Sequence, residues 1–99
     1  MNVIFAFRGF EEHSQTLKEY AEKRLDKVSK LLDMNTLVDV VFTKDTHEKR
    51  TEIKVSHNGI DFLASDIHGD FDASIDLCVD KIHRQIVKDK NRKVDKRRS

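Results

Sequence analysis

The residues of this chain best placed to do chemistry are cations at helical spacing, and the chemistry they suggest is attraction of a polyanion. In the segment 70–90 (DFDASIDLCVDKIHRQIVKDK), Lys81, Arg84 and Lys88 project onto one flank of a helix, while Asp72, Asp76 and Asp80 project onto the other side. In an earlier segment, Lys23, Lys27 and Lys30 share a flank, with Glu19, Glu22 and Asp26 turned further from the core. Arg24 falls at the edge of that helix's apolar stripe, where its stem must lie on the core and its fork point outward. Two readings stay open. The sorted charges form a surface for nucleic acid, or they lace a solvated helix with ion pairs, Arg24 being paired with a neighbouring carboxylate.

Catalytic chemistry has no comparable footing. The chain carries neither a GxxxxGK[ST] loop nor a GxGxxG turn, and its three glycines stand singly. His13, His47, His57, His68 and His83 are scattered, with no pair at the close spacing of a zinc motif. His57 and His68 could meet in the last hairpin. No metal, cofactor or catalytic residue is expected. The single cysteine, Cys78, excludes an intrachain disulfide and sits on an apolar helical face, where a small buried hydrophobe is expected rather than a reactive thiol.

The net charge of +1 conceals an asymmetry: residues 88–99 hold seven Lys/Arg against two Asp, whereas residues 1–87 hold twelve against sixteen acids. Binding to RNA must therefore come from local patches rather than from the overall charge. Hydrophobic residues at 37%, matched by 37% charged, describe a polar surface around a modest core. The N-terminus lacks the charged and apolar regions of a signal peptide, and no apolar run is long enough to span a membrane. The expected setting is the cytoplasm, without membrane contact and as a monomer when free.

Six elements must position the cations. Val3, Phe5 and Phe7 alternate with Asn2, Ile4, Ala6 and Arg8, which predicts a strand ending at Arg8-Gly9. Ser14 is the expected N-cap of a helix running to about Leu32, with Leu17, Tyr20, Ala21, Leu25, Val28, Leu31 and Leu32 as its stripe. Leu37–Lys44 reads as a buried strand, and Arg50–His57 as an alternating one. Asn58-Gly59 marks a type I′ hairpin leading into a strand from Ile60 to Ile67. Asp70 opens the last helix, whose buried face is Phe71, Ile75, Cys78, Val79, Ile82 and Ile86. The order β-α-β-β-β-α predicts an α/β two-layer sandwich: a four-stranded mixed sheet, first two strands parallel and the rest a meander, with two roughly parallel helices on one face. Residues 1–90 form the expected domain and 91–99 a basic, disordered tail. If the helices lie side by side, their basic flanks could add their fields over a strip of about 10–20 Å.

At this point the chain resembles the short ribosome hibernation promoting factors, also described as sigma modulation proteins. Asp70-Phe-Asp-Ala-Ser-Ile-Asp-Leu followed by Val79-Asp-Lys-Ile-His-Arg-Gln-Ile86 is similar to the family's Asp-Met-Tyr-Ala-Ala-Ile-Asp and Val-Asp-Lys-Leu-Asp-Arg-Gln-Leu. The Tyr20–Lys30 helix, Asn58-Gly59 and Ala64-Ser65 support the likeness, which covers about residues 1–90. The resemblance implies binding to rRNA in the decoding channel of the small ribosomal subunit, steric exclusion of mRNA and of A- and P-site tRNA, and no turnover. It carries the contact positions over to Arg24, Lys27, Lys30, Lys81, Arg84 and Lys88, and to Arg8, with Lys23 added by its place on the flank. Val87, Asp89 and the stretch Phe7-Arg8-Gly9-Phe10 depart from the family's usual residues. Because the sequence stops soon after the last helix, the short, dimer-promoting type is expected, acting in some bacteria with a separate modulation factor. The competing readings are a stand-alone double-stranded RNA-binding module, whose lysines would normally crowd the start of the last helix where Asp70 and Asp72 stand, and a protein-interaction regulator of transcription. The latter would require an exposed apolar stripe, and none is evident in the sequence.

Overall fold

A computed structural model places the strands β1 (Asn2–Arg8), β2 (Leu37–Lys44), β3 (Lys49–His57) and β4 (Ile60–His68) in one sheet of order β1-β2-β3-β4. The helices are α1 (Ser14–Ser29) and α2 (Phe71–Arg98). Residues 1–98 are described, with side chains as far as Asn91. β1 pairs with β2 in parallel, and β2, β3 and β4 form an antiparallel meander. This is the expected β-α-β-β-β-α mixed-sheet sandwich. No helix among the described residues is long and apolar enough to cross a membrane.

One face of the sheet is buried because its strands alternate. Val38, Val40 and Phe42 of β2, Ile53 and Val55 of β3, and Phe62 of β4 point to the helices, while their neighbours point away. The helices close that face with Leu17, Ala21, Leu25 and Val28 from α1 and with Ile75, Cys78, Val79, Ile82 and Ile86 from α2. Rings seal one end: Phe42 stacks on Phe7 at 5.2 Å and meets Phe71 edge-on at 5.6 Å, while Phe10 stacks on Phe71 at 5.1 Å.

The start of α1 differs from expectation. Ser14 is the first helical residue, and the N-cap is His13 in the left-handed region (φ 62°), with no side-chain capping bond. The chain turns sharply at Gly9 (φ 86°), where an added Cβ would run into the Lys44 carbonyl oxygen. The helix also stops at Ser29 rather than Leu32. Ser29 Oγ donates to the Asp26 carbonyl at 2.9 Å, and the chain then tightens, with Leu31 N–H bonding Val28 and Leu32 N–H bonding Ser29. The hairpin at Asn58-Gly59 has the two positive φ values its sequence demands, 51° and 77°. Asp70 caps α2, its carboxylate accepting from the Asp72 N–H at 3.1 Å. Helical backbone continues past Lys90 to Arg98; of the segment 91–99 expected as a basic tail, the side chains beyond Asn91 and all of Ser99 lie outside the described residues.

Candidate nucleic-acid interface

The two helices run in the same direction. Tyr20 and Arg24 of α1 meet Asp76 of α2, and Lys27, one turn on, meets Asp80. This register follows from the sequence of each helix. Buried stripes fix the rotation of both on the sheet, so the basic side of α1 is turned toward the acidic side of α2. The groove between them is thus a row of opposite charges rather than a continuous positive strip.

Asp76 Oδ1 accepts from the Tyr20 hydroxyl at 2.8 Å and lies 2.8 Å from Arg24 Nε. Arg24 Nε is buried and points off the hydrogen-bond direction, so this contact is an electrostatic pair. The bond to Asp76, aided by partial desolvation, raises the Tyr20 pKa above its ordinary value. Lys27 Nζ donates to Asp80 Oδ1 at 2.7 Å and holds that carboxyl below the usual range. Both pairs are more than a third exposed, so each adds little to stability. Arg24 therefore follows the paired reading, across to the other helix.

Lys81 is committed in a different direction. Its Nζ donates to the Ser65 carbonyl at 3.1 Å and lies 3.7 Å from Asp66 Oδ1. Beside it the Gln85 amide grips the free edge of β4, donating to the Leu63 carbonyl at 2.7 Å while its Oε1 accepts from the Leu63 N–H at 3.2 Å. Ser74 Oγ donates to the Asp66 carbonyl at 2.9 Å. Lys81 and Gln85 thus occupy backbone groups that an edge strand would leave open. The Asp66 carbonyl, in register with Thr51, is instead turned toward β3 and is met by Ser74 from above the sheet. Sequence reasoning missed Gln85 in this role, although its place immediately before the last buried apolar position, Ile86, offered a hint.

The remaining cations are distributed as follows. Lys23, Lys30, Arg84 and Lys88 are exposed and make no ion pair within 4 Å among the described residues. Lys23, Lys30 and Arg84 stand on the side of the helices away from the sheet, and Lys88 reaches from there toward the β4 edge, beside Phe62 and Gln85. Arg84 and Lys88, with His83, Val87 and Asn91, line an open hollow of about 390 Å³. Arg8 is elsewhere: it is on the exposed face of the sheet, which the helices do not cover. The structure thus divides the helix cations between the inter-helix groove (Arg24, Lys27), the β4 edge (Lys81) and the exposed helical surface, and leaves Arg8 apart.

Two expectations from the sequence are corrected. His57 and His68 do not approach one another, because the antiparallel register pairs His57 with Ile60 at the turn and Lys49 with His68 at the far end. No group of three or more metal-ligating side chains occurs among the described residues. The exposed apolar surface absent from the sequence reading does exist: Ile4, Leu37, Leu63 and Ile67 are all on the open sheet face and at least 45% exposed.

Cys78 is buried, its Sγ donating to the Thr51 carbonyl at 3.3 Å, and burial pushes its thiol up to about 12. Thiolate is the nucleophile, so a shift of about three pH units above the usual value leaves about a thousandfold less of it near pH 8. The greater nucleophilicity of a high-pKa thiolate offsets part of this, so alkylation of the native protein is expected to be at least about 30-fold slower than that of the urea-unfolded chain; equal rates would show that the thiol is reached without unfolding.

The family model described as "Sigma 54 modulation protein / S30EA ribosomal protein" matches residues 3–94. Among curated proteins, a ribosome hibernation promoting factor of Azotobacter vinelandii is 28% identical over 83 residues, covering 84% of this chain and 78% of the relative. One from Pseudomonas putida is 30% identical over 81 residues, 82% and 79% of the two chains. Among solved structures, the Thermus thermophilus Protein Y N-terminal domain superposes with a TM-score of 0.77 at 26% identity, covering 87% of this chain and 96% of that one. A ribosomal subunit interface protein from Coxiella burnetii gives 0.78 at 21% identity, 92% and 99%, a likeness of fold.

Proposed function

This chain belongs to the sigma 54 modulation protein / S30EA ribosomal protein family, and from that premise we propose that it is a non-enzymatic ribosome hibernation factor that silences the small subunit by occupying its decoding channel. There it excludes mRNA and the A- and P-site tRNAs, in the cytoplasm of stressed or stationary-phase cells, and favours inactive ribosome dimers, with a separate modulation factor where the cell has one. The observation that carries the contact surface is the exposed helical face, where Lys23, Lys30, Arg84 and Lys88 stand without ion pairs among the described residues. Phosphates of folded rRNA suit such a face, since affinity for irregular RNA rests on backbone and shape contacts more than on base edges. Arg24, Lys27 and Lys81 form a second tier. They reach phosphate by exchanging a carboxylate or carbonyl partner for it.

The test is binding of the purified protein to small subunits across a salt series, with and without initiator tRNA. Four direct phosphate contacts give a log–log slope of about −3, and exchange of two further ion pairs deepens it to about −5. Binding is expected to be competitive with tRNA and mRNA. A slope near zero, or undiminished binding alongside tRNA, would remove the proposal.

A further inference from the structure

The sheet's uncovered face carries a pattern unrelated to the helices. One register row runs across all four strands: Ile4 pairs with Asp39, Asp39 with Lys54, and Lys54 with Leu63. All four side chains are on the open face. Ile4 and Leu63 are 59% and 61% exposed, the most exposed large aliphatics of the strands. Read across the sheet, the row is aliphatic, acid, base, aliphatic. Rotation by a two-fold axis along the strands, between β2 and β3, reverses that order and makes the row complementary to itself. Ile4 then covers Leu63 of the mate, and Asp39 faces Lys54 of the mate, twice over by symmetry.

The next rows agree. The same rotation sets Ala6 against Ser65 and Val41 against Glu52, Arg8 against Ile67 and Thr43 against Arg50, and Leu37 against Ser56. In no row do like charges oppose. A two-fold across the strands along this row would instead set Ile4 on Ile4 and Leu63 on Leu63 but oppose Asp39 to Asp39 and Lys54 to Lys54, like charge to like. Stacked sheets accept this geometry at about 10 Å with strands within about 30° of each other.

We propose that the open sheet face is a self-docking surface, pairing this chain with a second copy face to face through the Ile4–Asp39–Lys54–Leu63 row. Four strands at about 4.8 Å and seven residues at about 3.3 Å offer roughly 400 Å² per copy, small for a specific interface. The dimer is accordingly weak, with a dissociation constant of about 10 μM to 1 mM. In dilute solution the chain remains the monomer expected from its sequence. The helical face stays free in the pair.

The test uses two variants of the full chain in sedimentation equilibrium up to about 1 mM. Lys54→Glu makes the centre of the row doubly acidic and Asp39→Lys makes it doubly basic, so each alone opposes like charges and should associate at least about tenfold more weakly than the parent chain. Mixed together they match at both sites, Asp39 to Lys54 and Glu to Lys, and a heterodimer of at least parental affinity is expected. The intrachain Asp39–Lys54 neighbours are broken in both variants, so recovery on mixing can only be intermolecular. Cooperative urea transitions verify that each variant is folded. The parent remaining monomeric at 1 mM, unimpaired single variants, or no recovery on mixing would each overturn the proposal. A monomeric parent whose ribosome affinity falls with Leu63→Lys would also overturn it, and would assign the face to a ribosomal protein.

Discussion

Reversing charge at Lys30 and Arg84 together (Lys30→Glu, Arg84→Glu) is expected to abolish binding to the small ribosomal subunit while leaving the fold intact. Both side chains are exposed, stand on the outer side of the helices and make no ion pair among the described residues, so the stability cost is about 0.5 kcal/mol each. Against phosphate, each reversal removes an attraction and adds a repulsion, and two of them should lower affinity by about 100-fold or more. The pair Lys81→Glu and Arg84→Glu is a poorer test, since Lys81 also holds the Ser65 carbonyl. The matching control is Asp76→Asn with Asp80→Asn. It releases Arg24 and Lys27 from their carboxylates, so binding should be unchanged or tighter despite a modest loss of stability. Co-sedimentation with small subunits reads both. Equal weakening by the control pair would show that the inter-helix groove, and not the outer face, meets the ribosome.

Phe42→Ala should lower the stability of the domain by about 3–5 kcal/mol, out of a total of about 5–15 kcal/mol for a chain of this kind. Phe42 is fully buried at the centre of the ring cluster, 6.3 Å from Phe5, 5.2 Å from Phe7 and 5.6 Å from Phe71. Those rings are held on β1 and the start of α2, so they cannot collapse together into the space the missing ring leaves. At about 4–8 °C per kcal/mol, the thermal midpoint should fall by roughly 15–30 °C. Phe10→Ala, at the half-buried rim of the same cluster, should cost less than half as much. At a temperature where the Phe42 variant is still folded, its ribosome affinity should match the parent's, because the outer helical face is on the other side of the helices. A change below about 1 kcal/mol would contradict the assignment of Phe42 to the centre of the core.

Much of the fold was legible because it rests on periodicity. The alternation of Val3, Phe5 and Phe7, the helical recurrence of Ile75, Cys78, Val79, Ile82 and Ile86, and the Asn58-Gly59 turn each depend on near neighbours in the chain. The element order and the parallel pairing of β1 with β2 follow from connection lengths. The ends of α1 were less legible. The left-handed cap at His13 and the close approach of Gly9 to Lys44 follow no periodicity, and the early stop at Ser29 turns on a local Ser29–Asp26 bond that an apolar stripe running on to Leu32 does not register.

The sequence by itself determined the apolar stripes that face the core, which flanks of the helices are basic, and to which family the chain belongs. That Ile4, Leu37, Leu63 and Ile67 stay exposed was decided by which face of the sheet the helices cover. Only the tertiary structure decided what each charged flank faces. Helical projection places Lys27 and Asp80 correctly on their own helices, yet it is silent on the rotation of one helix against the other. That rotation is set by both buried stripes seating on one sheet, and it turns Arg24 and Lys27 toward Asp76 and Asp80. The same seating sends Lys81 to the β4 edge and leaves Lys23, Lys30, Arg84 and Lys88 to solvent. Pairing register likewise assembled Ile4, Asp39, Lys54 and Leu63, the first and last 59 residues apart in sequence, into one row on the open face. Electrostatic and apolar contacts act over a few ångströms of space, whatever the separation along the chain, so these choices waited on the packed fold.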